Sequence, residues 1–316
     1  MHTFRAMNTQ FSTIGLPRAS QAKAESWFAF VERNLSRFRP GSELSALNRS
    51  QGRPFMASAL LFQALAGAQR YYEETGGLFH PYLGKVLASL GYSDSFEKLS
   101  SGEAAHGVPD AEPAAPMPIC EEAPATLNPG MMTVVLQEGY AVDLGGFAKG
   151  WSADQLSGML RREGIRIGAI DAGGDIVLWG VPDKGWEIAV ANPFKPEEDL
   201  LSLRIGRPAG IATSSSQKRR WTDEFGRERH HLIDPRRLAP ADSGLVQATV
   251  IAPTLTEAEV YAKCLLLLGE EKGVPWLREK RPDYAYFAVR RDGSVLRSDT
   301  LERYGSEEGD GYARAI

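Results

Sequence analysis

Two short stretches combine an acid with paired glycines directly after an apolar run. Asp143 and Asp171 each stand two residues before a glycine pair, in VDLGGFAKGW and IDAGGDI. Paired glycines let backbone N–H groups approach a ligand closely, and a helix after such a turn presents its positive end to an anion. Neither stretch has the spacing of G-x-G-x-x-G or of G-x-x-x-x-G-K-[ST]. They therefore indicate an anion site of another kind, with tight chain reversal as the alternative.

Hydroxyls, cations and two histidines crowd into TSSSQKRRW (213–221) and HHLIDPRR (230–237). Serine, lysine and arginine together suit phosphate oxygens. His230 or His231 could act as a base, because histidine is the side chain that titrates near neutral pH. No G-x-S-x-G elbow accompanies the serines, which argues against a serine hydrolase. A solvated loop with a turn at Asp234-Pro235 remains the alternative.

Thr256, Glu259 and Lys263 in TEAEVYAKC are spaced to share one face of a helix. Carboxylate and carbonyl oxygens are ligands that Mg²⁺ prefers, so this face is a candidate cation site. The alternative is a surface ion pair between Glu259 and Lys263, whose order along a helix is the favourable one.

The elements that must position these residues mix helices and strands without a regular βαβ rhythm, which favours an α+β fold with antiparallel sheet. Apolar residues at three- and four-residue intervals predict helices over 20–38, 59–75, 148–163 and 256–269. Strand-like runs surround them, including a hairpin at Asp292-Gly293. We expect one domain over residues 1–302 with a Pro/Ala/Glu-rich excursion at 100–130, followed by a polar tail at 303–316.

Composition narrows the class of protein. The chain has 316 residues, 36 basic and 40 acidic, with a net charge of −4. A general nucleic-acid binder usually carries a basic excess, so we expect no nucleic acid partner. No apolar run approaches the roughly 18 residues of a membrane span, and the N-terminus lacks a signal-peptide pattern. These features predict a cytoplasmic protein without a membrane span.

Six segments in order are similar to one family: SRFRPGSELSALNRS, TGGLFHPYLG, VDLGGFAKGWSAD, IDAGGDI, IATSS…HHLIDPRRLAPA and TVIAPTLTEAEVYAKCLLLLG. They resemble the ApbE family, the FAD:protein FMN transferases, and the match runs from residue 6 to residue 269. A single D-L-G-G is weak, whereas six segments in order are specific. The resemblance implies a divergent, cytoplasmic-type member with an α+β fold, a two-lobed single domain of largely antiparallel sheets with flanking helices.

The resemblance also implies which residues bind FAD and Mg²⁺. The implied FAD contacts are Met7, Phe38, Leu78, Phe79, His80, Asp143, Lys149, Gly173, Gly174, Ser214, Leu232 and Ile233. The candidate Mg²⁺ ligands are Gly146, through its carbonyl, together with Thr256 and Glu259. The implied partners are FAD itself and an acceptor flavoprotein that carries a threonine or serine to be modified.

The activity implied is phosphoryl transfer. A hydroxyl on the partner protein attacks the FMN phosphorus of FAD, AMP leaves, and FMN stays attached through a phosphoester. His231 is the predicted base, Lys149 together with Mg²⁺ supplies the positive charge, and Lys263 is the third candidate catalytic residue. Two alternatives keep the same site: an FAD pyrophosphatase that uses water in place of the hydroxyl, and an FAD-binding protein without turnover.

This chain departs from the usual pattern of the family at the metal helix. Glu259 stands at an aspartate position and Lys263 at a threonine position, and a protonated lysine has no lone pair for a metal. Lys263 either replaces part of the metal's charge, weakens metal binding, or pairs with Glu259 in place of a metal. His80 replaces a usual acid, and Arg237-Leu238 replaces a usual Thr-Gly.

Overall fold

The computed structural model describes residues 1–92, 122–195, 197–218, 220–222 and 228–308. Within these ranges the chain forms six α-helices and one 3₁₀-helix, Asp299–Arg303. The α-helices are α1 (Arg18–Leu35), α2 (Glu43–Asn48), α3 (Ala59–Glu74), α4 (Gly84–Ser89), α5 (Ala148–Arg162) and α6 (Leu255–Lys280).

The largest sheet has eight strands, and every neighbouring pair in it is antiparallel. In spatial order the strands are β1 (His2–Ala6), β2 (Thr9–Ile14), β6 (Gly168–Ala172), β7 (Ile176–Trp179), β10 (Ala209–Ser215), β15 (Leu245–Ala252), β16 (Ala285–Arg290) and β17 (Val295–Arg297). The predicted α+β class with largely antiparallel sheets is confirmed.

Smaller sheets complete the strand inventory of the described residues. One three-stranded sheet has the order β18 (Gly305–Glu308), β9 (Asp199–Ile205) and β8 (Trp186–Ala191), and another has β3 (Phe55–Met56), β5 (Thr133–Leu136) and β4 (Ala125–Asn128). Two-stranded ribbons pair β11 (Arg220–Thr222) with β12 (Glu228–His230), and β13 (Ile233–Asp234) with β14 (Ala239–Pro240).

The eight-stranded sheet is covered on both faces. On one face α6 packs against β10 and β15, where Ala248 and Val250 join the main apolar cluster. On the other face Ile251 joins a second cluster with Leu203 and Trp186. Successive side chains of a strand point to opposite faces, so a strand covered on both sides has no solvent-exposed face. This explains why all eight residues of β15 are buried.

The predicted helices lie close to the observed ones, with one difference at the C-terminal end of α6. Gly269 has φ 75° and ψ −178°, which interrupts the helix at the predicted end. Helical structure then resumes and continues to Lys280. A Cβ on Gly269 would lie 2.5 Å from the Ser243 carbonyl oxygen. Glycine therefore allows a change of direction inside a longer helical segment, whereas the sequence analysis treated it as the end.

The predicted excursion and tail each contain part of the folded structure. Residues 100–121 of the excursion lie outside the described residues, but Ala125–Asn128 forms β4. The predicted domain end at 302 falls inside the 3₁₀-helix, and β18 pairs with β9 beyond it. Residues 309–316 of the tail lie outside the described residues. Among the helices described, none combines the length and apolar character needed to cross a membrane.

Candidate active site

A cavity of about 280 Å³ opens where α1, α5, α6 and β10 approach one another. The residues that line it lie between Met7 and Lys263 in the sequence. The predicted site residues that line it are Met7, Phe38, Leu78, Phe79, His80, Asp143, Gly146, Lys149, Gly173, Gly174, Ser214, His231, Leu232, Ile233, Glu259 and Lys263. Thr256, a candidate Mg²⁺ ligand, and His230, one of the two candidate bases, do not line this cavity. The residues named for chemistry are thus brought together, and their individual roles stay predictions.

The first glycine segment connects Asp143 to the start of α5. Asp143 Oδ1 accepts a hydrogen bond from the Gly145 N–H at 2.7 Å, and the Asp143 N–H donates to the Pro81 carbonyl at 2.7 Å. The other carboxylate oxygen contacts the Arg37 guanidinium. Burial raises the pKa of Asp143, but the Arg37 charge and the hydrogen bonds outweigh it and hold the pKa below its ordinary value. Asp143 is therefore ionised and fixed at the cavity wall.

Arg37 is a cavity residue that the sequence prediction missed. Its guanidinium carbon lies 4.1 Å from the centre of the Phe38 ring and 5.1 Å from that of Tyr92, and Nη2 donates to the Tyr92 carbonyl at 2.6 Å. Tyr92 in turn stacks on Trp221 with 5.4 Å between ring centres. An aromatic wall beside a cation suits a flat heteroaromatic ring. The sequence offered one indication of this role. Arg37 directly precedes Phe38, and a buried acid such as Asp143 requires a cation nearby.

The second glycine turn connects β6 to β7. Gly173 and Gly174 have φ values of 80° and 95°, in the left-handed region that glycine adopts without strain. The Gly174 N–H donates to Asp171 Oδ1 at 2.7 Å, and burial raises the pKa of Asp171. A Cβ on Gly173 would lie 2.2 Å from Thr9 Oγ1, whereas no described atom lies within 4 Å of a Cβ position on Gly174. The space beside Gly174 is therefore open to a ligand, while its N–H is taken by Asp171.

Three buried charged side chains meet at the start of α5. Lys149 Nζ contacts the Asp175 carboxylate and lies 3.1 Å from Glu259 Oε1. The three residues are 8%, 9% and 6% exposed, in the order Lys149, Asp175 and Glu259. Asp175 also accepts from the Thr213 N–H at 3.0 Å, and Glu259 Oε2 accepts from the Gly150 N–H at 2.9 Å. The buried charges are thus paired and hydrogen-bonded, which fixes Lys149 at the cavity.

Lys263 extends from α6 to the first glycine segment. A Cβ on Gly146 would lie 1.7 Å from Lys263 Nζ, so the glycine leaves the space that the ammonium fills. Nζ lies 5.5 Å from the centre of the Phe79 ring. Burial lowers the pKa of Lys263, and the nearby carboxylates of Glu259 and Asp143 oppose that effect. Glu259 forms its ion pair with Lys149, so the alternative of a surface pair between Glu259 and Lys263 is not what the structure contains.

The residues named for a magnesium site do not fit a divalent cation. The N–H and the hydroxyl of Thr256 both donate to the Asp154 carboxylate, the N–H at 2.8 Å. Neither Thr256 nor Asp154 lines the cavity. Both carboxylate oxygens of Glu259 already accept hydrogen bonds, and Lys263 Nζ fills the space beside Gly146. Across the described ranges no group of three His, Cys, Asp or Glu side chains could hold a metal ion. We therefore remove Thr256 from the candidate ligands, because Asp154 uses it at the start of α6.

Of the two adjacent histidines, His231 lines the cavity and His230 does not. His230 Nε2 lies 3.1 Å from the Ala241 carbonyl, and burial lowers the pKa of His230. His80 also lines the cavity, where its Nδ1 accepts from the Tyr82 N–H at 3.3 Å and burial lowers its pKa to about 4. His80 is therefore neutral at neutral pH, and the role of His231 as the base stays a prediction.

Comparison with known proteins agrees with this fold. A sequence model described as the ApbE family matches residues 3–288. A relative from Klebsiella pneumoniae, named FAD:protein FMN transferase, is 26% identical over 292 residues, which cover 90% of this chain and 87% of the relative. The structure of the ApbE protein from Thermotoga maritima superposes with a TM-score of 0.82 at 22% identity, over 96% of this chain and 98% of that one.

A second solved structure, the flavin transferase ApbE from Vibrio cholerae, gives a TM-score of 0.77 at 23% identity, over 96% of this chain and 98% of that one. These two likenesses support the fold, while the family match extends over nearly the whole sequence. The chain therefore belongs to the ApbE family.

Proposed function

We propose that this protein is an FAD:protein FMN transferase. It transfers FMN from FAD to a threonine or serine hydroxyl of a partner flavoprotein and releases AMP. The observation that carries this proposal is one cavity that unites both glycine turns with Lys149, Lys263 and His231. The family match and the relatives named for this activity support it.

The cavity wall offers groups for each part of a flavin dinucleotide. Phe38 and Tyr92, held beside the Arg37 guanidinium, provide a stacking surface for a flat ring. The open space beside Gly174 and the ammonium groups of the two lysines suit the oxygens of a diphosphate. An aromatic surface and an anion site in the same cavity favour a nucleotide over a simple phosphate.

The transfer step requires a base, a positioned hydroxyl and compensation of phosphate charge. The acceptor oxygen forms a bond to the FMN phosphorus, while the bond from that phosphorus to the bridging oxygen breaks. His231 takes the hydroxyl proton, and AMP leaves with the electron pair of the broken bond. Lys149 and Lys263 stabilise the negative charge on the phosphate oxygens.

Intact-mass spectrometry of an acceptor flavoprotein incubated with this protein and FAD tests the proposal. We expect the acceptor to gain one FMN less one water, and an acceptor with its threonine replaced by alanine to gain nothing. His231→Gln should slow the transfer by about 10²–10⁴, the usual contribution of a general base. His2→Gln, at an exposed pair with Glu25, is the matched control and should keep the wild-type rate. A normal rate for His231→Gln would exclude this residue as the base.

A further inference from the structure

The Lys263 ammonium is a cation with unused hydrogen-bond donors. It lines the cavity and contacts the Phe79 ring at 5.5 Å. Within the part of the chain that the structure describes, no acceptor lies within hydrogen-bonding distance of Nζ and no carboxylate lies within 4.0 Å of it. Its three N–H donors therefore remain available to a ligand.

The position of this ammonium is set by neighbouring backbone as well as by α6. Nζ lies where a Cβ on Gly146 would be 1.7 Å away, so any side chain at 146 would displace it. This explains physically why the second residue of the pair Gly145-Gly146 is a glycine. The missing Cβ at 146 makes room for a cation supplied by the chain itself.

The same geometry disfavours a divalent ion. A metal bound to the Gly146 carbonyl would lie close to the Lys263 ammonium, and like charges repel. Glu259 is committed to Lys149 and to the Gly150 N–H, and it would have to leave both to become a ligand. The carboxylate named as a Mg²⁺ ligand thus already has other partners.

We propose that the Lys263 ammonium takes the place of a divalent cation at the diphosphate, so that FAD binding and FMN transfer are independent of divalent metal. This inference rests on the proposed function. Lys263 donates to oxygens of the FAD diphosphate and compensates the charge that develops on the leaving AMP phosphate. Lys149, already paired with Asp175 and Glu259, adds a second positive charge at the cavity wall.

Equilibrium titration of the full chain with FAD, followed by flavin fluorescence, tests this proposal in EDTA and in a series of Mg²⁺ concentrations. We expect the wild-type Kd for FAD to agree within twofold in all buffers. Lys263→Met should weaken binding by roughly tenfold or more, as expected for lost charge-assisted hydrogen bonds. Lys263→Arg should keep metal-independent binding. Lys272→Met, an exposed lysine on the same helix, is the matched control and should bind like the wild type.

Two results would overturn the inference while leaving the proposed function intact: wild-type FAD binding that is lost in EDTA and restored by Mg²⁺, or wild-type affinity in Lys263→Met. Absence of FAD binding in every buffer would instead refute the proposed function, and the inference with it. Thermal unfolding of each variant shows whether it is folded. The comparison of EDTA with Mg²⁺ uses the wild-type protein, so it decides the metal question even if a variant does not fold.

Discussion

At the scale of single residues, the cavity is organised by charges whose partners the structure identifies. Arg37 neutralises Asp143 and Lys149 lies between two carboxylates, whereas Lys263 Nζ faces the cavity beside Gly146. The sequence singled out most of these residues, because acids, glycines and lysines at short spacing are conspicuous. It did not show which acid pairs with which cation, since these pairs join residues 26, 106 and 110 positions apart.

Gly146→Ala tests the placement of the ammonium without removing it. The new Cβ would collide with Lys263 Nζ, the far end of a flexible side chain that can move aside. We therefore expect little change in thermal stability but an FAD affinity about tenfold lower, because displaced donors lose charge-assisted hydrogen bonds. Flavin fluorescence titration and a thermal melt measure the two quantities.

Gly41→Ala is the control for this substitution, because no described atom lies within 4 Å of a Cβ there. It should bind FAD like the wild type. Unchanged FAD affinity in Gly146→Ala would contradict the assigned position of Lys263.

His80 gives a prediction about pH. Burial lowers its pKa from 6.5 to about 4, so the folded state resists protonation. The stability that this contributes is present above pH 6.5 and is lost as the pH falls towards 4. Chemical denaturation of the wild type and of His80→Gln should show the wild type losing about 3 kcal/mol relative to the variant between pH 7 and pH 4. Parallel pH profiles for the two proteins would show that His80 titrates normally.

At the scale of elements, the sequence predicted the amphipathic helices but not the side-chain hydrogen bonds that hold them in place. The apolar spacing predicted helix 59–75, close to the observed α3, Ala59–Glu74. The hairpin of β1 and β2 was missed, because its turn at Met7 and Asn8 has positive φ without glycine. The anchor of α6 was also missed. Asp154, on α5, accepts from the N–H groups of Leu255 at 3.0 Å and Thr256 at 2.8 Å.

Asp154→Ala tests that anchor. The substitution removes the acceptor for two N–H groups and the Thr256 hydroxyl at the first turn of α6. We expect a loss of about 2 kcal/mol in the free energy of unfolding, measured with urea. FAD binding should weaken as well, because α6 carries Glu259 and Lys263. Asp183→Ala, at an exposed loop position, should change neither quantity. Wild-type stability in Asp154→Ala would show that α6 does not depend on the hydrogen bonds to Asp154.

At the scale of the whole molecule, the fold brings together residues from Met7 to Lys263. Spacing along the chain cannot predict such a set, because it depends on the strand order β2-β6-β7-β10 and on the helices packed against that sheet. Resemblance to a family supplied the set, and the structure places all of it except Thr256 at one cavity. The sequence left three consequences of Lys263 open, and the position of its Nζ beside Gly146 favours replacement of the metal's charge.

The ratio of AMP to flavin-modified acceptor is the most direct test of the account. Quantifying AMP by chromatography and the modified acceptor by intact mass, in one reaction with FAD, gives this ratio. Transfer predicts one AMP for each modified acceptor and no AMP when the acceptor is omitted. AMP released without acceptor would identify a pyrophosphatase instead, and FAD binding with neither product would identify a protein that binds the dinucleotide without turnover.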